Sequence, residues 1–448
     1  MKIIVQYNSE GIEMTLFHSL FDLLASLDED SICFSHEEGD TLVHTSVREF
    51  IKDIEEYPVI PNQRVGIMIE NTYSSILSLF AMAYQKKDII LFNPMEEEKT
   101  LQRQIQSSDT SLLLGRKEIT DRFLSYLRED IKNKDPKILF FTSGTTSSSK
   151  AVILTEEHLL ASCYNGGSVL PLKKDDVFLS ILPLSHVFGF VCSLLWPLSF
   201  GARICLSRGM RHMMDDLSYF NPSVISLVPQ MAGFYAKYNL FNQNLRLVLI
   251  GAGECNEDIL KAIEKKGIQV SYGYGLTETS SGLALSTGPD PRRMTICPLE
   301  ELRIALDGEI LVSSDKILAE GYYKSNETLI DNEGFFHTGD LGKIEDGKLI
   351  LLGRKKDIIV LDDGNKIYLP ECEEELKSFL KEEDLALEGT YPLVLHIHTK
   401  MDKTDIEEKI SLYNKDKINS KKIVQIVFED NPIGKTLTMK VKRHLLHH

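Results

Sequence analysis

Apolar and polar positions along the chain fall into two alternating patterns. Short apolar runs bounded by turn residues occupy residues 64–69, 88–92, 138–141, 151–154, 223–228, 245–250 and the stretch from Gln269. Runs of that length and setting read as buried strands. Between them, residues 16–27, 74–84, 155–163 and 230–238 read as helices. Thr155 is placed to cap one of these, with Glu156 and Glu157 in its first turn, where carboxylates suit the positive end of the helix dipole. Strand, helix and strand in this rhythm predict an α/β fold built on a parallel sheet.

One stretch tests that reading. Residues 177–200 contain no Asp, Glu, Lys or Arg, and their number matches the thickness of a bilayer. Pro183, Ser185, His186, Gly189 and Pro197 interrupt it. The pattern therefore predicts a buried strand, a sharp turn and a buried helix, and no integral membrane segment. The apolar run at the start of the chain, which is strand-like, is too short for a signal peptide.

At 448 residues the chain exceeds one ordinary core, so two or more domains are expected. A net charge of −16 argues against nucleic acid or an anionic membrane as the main partner. It leaves ATP open, because a site can be locally positive. The seven cysteines are scattered and form no C-x-x-C pair, which predicts reduced, buried thiols in a cytoplasmic protein.

The densest chemistry lies between the runs 138–141 and 151–154. There, nine residues (142–150) comprise seven Ser or Thr, Gly144 and Lys150. Hydroxyls, backbone N–H groups and one ammonium suit a polyphosphate, although a solvent-exposed polar loop has the same composition. It is not a Walker A loop: no Gly immediately precedes Lys150, and Ala151 stands where the Mg²⁺-binding hydroxyl belongs. A kinase or ATPase of that class is disfavoured accordingly.

The segment Thr142-Ser-Gly-Thr-Thr-Ser-Ser-Ser-Lys150 resembles the phosphate loop of the adenylate-forming superfamily, which comprises acyl-CoA synthetases, adenylation domains and luciferases. The usual form is Thr-Ser-Gly-Thr-Thr-Gly-x-Pro-Lys-Gly, from which Ser147, Ser149 and Ala151 depart. Further motifs follow in the family's order. Tyr274-Gly-Leu-Thr-Glu278 matches Tyr-Gly-x-Thr-Glu, residues 331–340 end in Thr-Gly-Asp, and Gly353-Arg-Lys-Lys-Asp357 lies at the usual domain boundary. Lys440-Val-Lys-Arg443 fits the motif of the catalytic lysine, with Lys435 as the rival position. The family's Gly-x-x-Gly-x-Pro is missing between Ser286 and Ile304, where Cys297-Pro298 stands instead.

The resemblance implies a site residue by residue. Thr142, Ser143, Gly144, Thr145, Thr146 and Lys150 would hold phosphates. Tyr274 and Gly275 would face adenine, Thr277 the α-phosphate, and Glu278 would bind Mg²⁺. Asp340 and Arg354 would take the ribose. Gly251, Ala252 and Gly253 would lie beside the acyl group and the adenine edge. His186 would gate the acyl pocket, where a buried core histidine is the plainer reading. Lys440 would act at the reacting phosphate. The implied fold is an N-terminal domain (1–355) of two α/β subdomains and a β-rich one, then a small mobile α+β domain (356–448) hinged at Lys356. The implied activity is ATP-dependent acid–thiol ligation through an acyl-adenylate, with ATP, Mg²⁺ and coenzyme A as cofactors. The alternatives are a carrier-protein phosphopantetheine as acceptor, or a nucleotide-binding homologue that has lost catalysis. The wording of residues 360–371 and 438–440 is most like the long-chain fatty acyl-CoA synthetases, so an apolar acid is expected.

Overall fold

The computed structural model describes all residues except 1–2, 7–12, 132–134, 143–148, 254, 289, 362–365, 383, 389, 436–440, 442 and 447–448. Asp363-Gly364, a residue pair that predicts a type I′-like turn between two strands, lies outside the described residues.

Two large sheets carry the fold. In the first, Ile138–Phe141, Asp88–Phe92, Arg64–Met68 and Leu112–Leu114 run parallel, as their unbroken apolar character predicts for strands covered on both faces. Ala151–Leu154 joins antiparallel to Ile138–Phe141, and Gly321–Tyr322 extends that edge. The second sheet has thirteen strands among the described residues. Its parallel half includes Val177–Ser180, Val224–Leu227, Leu247–Ile250 and Gln269–Tyr274. From Gln269–Tyr274 onward it turns antiparallel, through Ala284–Ser286 and Arg293–Ile296 into the strands Lys348–Arg354, Phe336–Glu345 and Glu309–Ser313. This half is the β-rich portion that the motif order implied.

The helix Glu156–Val169 and the helical run Val187–Ser199 share one apolar core with strands of both sheets. Phe140 meets Phe190 edge-on with ring centroids 5.2 Å apart, a favourable aromatic geometry. Thr155 caps Glu156–Val169 by accepting from the His158 N–H. That helix continues six residues beyond Cys163, where the sequence pattern ended it, because its flank stays buried as far as Gly167. The helix expected over residues 16–27 is shorter, Leu20–Ala25, since Glu13–Leu16 forms a strand and Ser19 caps the helix after it. Residues 177–200 form the predicted strand, turn and helix. The helix widens into a π turn over Val191–Leu195 beside the cavity described below. Among the described residues no helix is long and apolar enough to cross a membrane, and all seven cysteines are free thiols.

After the turn Lys355–Asp357, the chain builds separate small sheets and a core of its own, formed by Leu369–Leu380, Leu385–Leu387, Leu393–Ile397, Lys403–Lys415 and Ile423–Phe428.

Candidate active site

The parallel half of the second sheet meets its antiparallel half at Gln269–Tyr274. Clefts form beyond the carboxyl ends of parallel strands, and a cavity of about 310 Å³ opens at this one. Its lining includes Thr142, His186, Ala252, Tyr274, Gly275, Thr277, Glu278 and Arg354, all expected from the motifs. It also includes Cys192, Ser281, Tyr322, His337 and Thr338, for which no role was assigned from sequence.

Gly275 is fixed by sterics. A Cβ there would fall 1.2 Å from the carbonyl oxygen of Ser281. The close approach comes from two consecutive left-handed residues, Ser280 (φ 54°) and Ser281 (φ 105°), a strained arrangement for non-glycine residues. Ser280 is held there by donating through Oγ to Ile317 O at 2.7 Å. Behind the same loop, Gly282 N–H donates to Ser162 Oγ at 3.4 Å, and Asn165 Nδ2 donates to Gly282 O and to Glu300 Oε2. Glu300 belongs to the segment where the family pattern is lost. Its carboxyl pKa is pushed up to about 8 by burial, so it is protonated near neutrality.

At the ribose end, Tyr274 Oη donates to Asp340 Oδ2 at 3.0 Å, and Arg354 Nε pairs with Asp340 Oδ1 at 3.0 Å. Burial first, then the Asp340 charge, raise the Tyr274 phenol, which stays a donor. The Thr-Gly-Asp turn is braced from outside. Gly339 N–H donates to Glu309 Oε1, and Lys355 and His337 contact Glu309 Oε2 at 3.0 and 3.3 Å. Hydrogen bonds to Glu309 and Asp331 raise the His337 pKa.

At the phosphate end, Glu278 Oε1 accepts from Tyr322 Oη at 2.9 Å. Lys150 stacks its ammonium 4.7 Å from the Tyr322 ring centroid and pairs with Glu327. Thr142 and Lys150 close the base of the loop between them, Thr142 N–H donating to Lys150 O at 2.9 Å. Ser143, Gly144, Thr145, Thr146 and Lys440 lie outside the described residues. Mg²⁺ takes one or two carboxylates together with phosphate oxygens. Glu278, with one oxygen held by a phenol, suits that demand, and no cluster of three or more His, Cys, Asp or Glu rivals it among the described residues.

At the acyl end, His186 Nδ1 accepts from the Phe188 N–H at 3.3 Å, which places the proton of the neutral ring on Nε2. Phe188 closes over Gly251, where a Cβ would lie 2.8 Å from its ring. Gly251 and Gly253 are thus behind the wall, with Ala252 on it. Lys356 follows Arg354 at an exposed position, and partial desolvation of its ammonium, then Arg354, lower its pKa.

Residues 124–323 match the family described as AMP-binding enzyme. The 2-succinylbenzoate–CoA ligase of Bacillus cytotoxicus is 26% identical over 380 residues, spanning 75% of this chain and 77% of its own. The same enzyme of Bacillus mycoides is 27% identical over 376 residues, again 75% and 77% of the two chains. Among solved structures, O-succinylbenzoate coenzyme A synthetase (MenE) from Bacillus subtilis, in complex with ATP and magnesium ion, superposes with a TM-score of 0.77 at 21% identity, over 94% of this chain and 98% of that one. ATP-bound MatB from Rhodopseudomonas palustris gives 0.78 at 17%, over 95% and 97%. These relatives correct one expectation. The likeness to long-chain fatty acyl-CoA synthetases, and with it a place in fatty acid metabolism, rested on the wording of residues 360–371 and 438–440, whereas the two ligases are named for 2-succinylbenzoate and the MenE structure for O-succinylbenzoate. The matched segment, the shared fold and the motif order agree in likening this chain to the adenylate-forming (AMP-binding) enzymes.

Proposed function

We propose that the chain is an ATP-dependent ligase that joins a compact, aryl-bearing carboxylic acid to coenzyme A. The observation that carries this reading is the convergence of Tyr274 and Arg354, both tied to Asp340, with Thr277, Glu278 and Thr142 around one cavity whose far end is apolar. Tyr274 presents an aromatic face to adenine, and the Asp340–Arg354 pair meets the ribose hydroxyls. Thr142, Thr277 and the phosphate loop face the phosphates. Mg²⁺ held at Glu278 would supply positive charge there. The acid's carboxylate attacks the α-phosphorus, pyrophosphate leaves and an acyl-adenylate forms. The thiolate of coenzyme A then attacks the acyl carbon and AMP leaves. In both steps the protein's part is positioning and charge neutralisation. Lys440 is assigned to the first step, and rotation of residues 356–448 about Lys356 exchanges the two. Free thiols suit action in the cytoplasm.

The acid's class rests on the lining of the cavity. Phe188, Leu249 and Leu285 suit the ring, and His186, Cys192 and Ser281 offer polar atoms to a second substituent. The relatives named for 2-succinylbenzoate support that choice. Carboxylate-dependent ATP–pyrophosphate exchange tests it, with 2-succinylbenzoate, benzoates, short acids and palmitate. Exchange with the aryl acids, followed by AMP release on adding coenzyme A, is expected. Exchange with palmitate alone, or AMP release only with a phosphopantetheinyl carrier protein, refutes the assignment.

A further inference from the structure

The segment between Ala319 and Lys324 connects two parts of the site that come from different sheets. Ala319 N–H donates to the Glu278 carbonyl at 2.8 Å, and Glu320 N–H to Ile153 O at 3.0 Å. Tyr322 pairs in register with Val152, two residues beyond Lys150. Its side chain then works in two directions. The hydroxyl donates to Glu278 Oε1, and the ring face lies under the Lys150 ammonium. A carboxylate oxygen has no proton to give, so the phenol is the donor of that bond.

We propose that Tyr322 is a positioning residue that fixes the metal-binding carboxylate of Glu278 and the phosphate-loop ammonium of Lys150 relative to each other. This rests on the nucleotide-site reading above. A glutamate side chain has several rotamers, and the phenol selects one by occupying Oε1 while Oε2 stays available to a cation. Lys150, which also pairs with Glu327, is drawn at the same time toward an electron-rich ring face, an attraction of modest strength that a bound polyphosphate can outcompete. Tyr322 is itself set by strand pairing directly after the loop, so a displacement of the loop reaches Glu278 through one side chain. The two charges that a polyphosphate–Mg²⁺ complex must bridge are held in register before it arrives, as preorganised electrostatics requires.

The test separates the hydroxyl from the ring. Calorimetry measures ATP binding with and without Mg²⁺ for the parent, Tyr322→Phe and Tyr322→Leu, with thermal melts of each. In the parent, Mg²⁺ strengthens ATP binding. In Tyr322→Phe that strengthening falls roughly tenfold, the scale of one hydrogen bond to a charged group, while Mg²⁺-free binding holds within about twofold. In Tyr322→Leu, Mg²⁺-free binding weakens as well. In a Glu278→Gln background, Tyr322→Phe adds no further loss. Parental Mg²⁺ dependence in Tyr322→Phe overturns the proposal, as does an undiminished effect in the Glu278→Gln background. A Tyr322→Phe melt far below the parent's makes the residue a structural support and also overturns it. A parent that binds ATP without regard to Mg²⁺ refutes the nucleotide-site reading itself, and the proposal with it.

Discussion

Replacing Gly251 by Ala should narrow substrate choice without touching the nucleotide end. The added methyl carbon would sit 2.8 Å from Cε2 and Cζ of Phe188. Ordinary carbon contacts begin at roughly 3.5 Å, so the ring must recede by several tenths of an ångström. It recedes into the cavity, because Phe188 is part of its lining and Gly251 lies behind it. The lost space is about one methyl group at the acyl end. A single methylene in an apolar pocket changes discrimination by about 1–3 kcal/mol, or ten- to two-hundredfold. The variant should therefore lose at least roughly tenfold in kcat/KM for acids that fill the cavity, and much less for short ones. KM for ATP should not change, since the Tyr274–Asp340–Arg354 cluster is formed by other elements. The assay is pyrophosphate exchange across an acid-size series at saturating ATP. An unaltered size profile would show that Phe188 does not bound the acyl site, and equal losses for every acid would show a general disturbance.

Three further outcomes follow from particular contacts. Asp340→Asn removes the charge facing Arg354 and weakens the acceptor for Tyr274, so ATP affinity should fall roughly tenfold; unchanged affinity by calorimetry excludes Asp340 from the ribose site. Asp88→Ala strands Arg64, whose side chain is 4% exposed beside a carboxylate that is fully buried; denaturant unfolding should lose about 3–5 kcal/mol, and a loss under about 1 kcal/mol would mean that Ser108 O and the Tyr323 ring suffice for the guanidinium. Glu300 has a folded pKa of about 8, above the ordinary glutamate value of 4.5, so between those pH values the unfolded chain releases a proton that the folded chain keeps. Stability is full below that window and falls as pH rises through it, and Glu300→Gln should remove the slope. Part of the side chain meets solvent, so the gain at pH 8 should be on the order of 1–2 kcal/mol; equal slopes in parent and variant refute the raised pKa.

The elements best read from sequence were those whose apolar runs are covered on both faces. The limits of Ile138–Phe141, Ala151–Leu154 and Asp88–Phe92 follow from hydrophobicity alone. The hairpin Ile32–Glu38 and Thr41–Ser46 was not anticipated, because its second strand is largely exposed and polar. Motif residues are brought together in part: Tyr274 and Glu278 line the cavity, and Asp340 accepts from Tyr274 behind it. Residues that act on those side chains escaped notice. Tyr322 and Glu309 follow no pattern tied to a ligand, and their partners are 44 and 30 residues away in the chain. The available signal was Gly321-Tyr-Tyr323, whose wording resembles the β-rich subdomain of the adenylate-forming enzymes, whereas Gly321–Tyr322 borders Ala151–Leu154 in the other sheet. Lost match between 286 and 304 did carry information, since Glu300 stands there, but nothing in the sequence indicates that Asn165 receives its carboxyl.

The two walls of the cavity have separate origins, and this bears on how the site can change. Groups assigned to ATP come from the antiparallel half of the large sheet and from the loop between Ile138–Phe141 and Ala151–Leu154. The acid wall comes from the helical run beginning at Val187, the end of Leu247–Ile250, and the 280–282 loop. Gln269–Tyr274 is the strand they share, and Gly275 must stay glycine because Ser281 O occupies the place of its Cβ. Substitution at Phe188 or Cys192 can therefore reshape the pocket assigned to the acid while Asp340 and Glu278 keep their partners. Substitution at Gly275 or Ser281 cannot, since it moves the strand that carries Tyr274 and Thr277. Altered acid specificity with intact ATP affinity should thus arise from the helix side of the cavity, and changes in the 275–282 loop should alter both together.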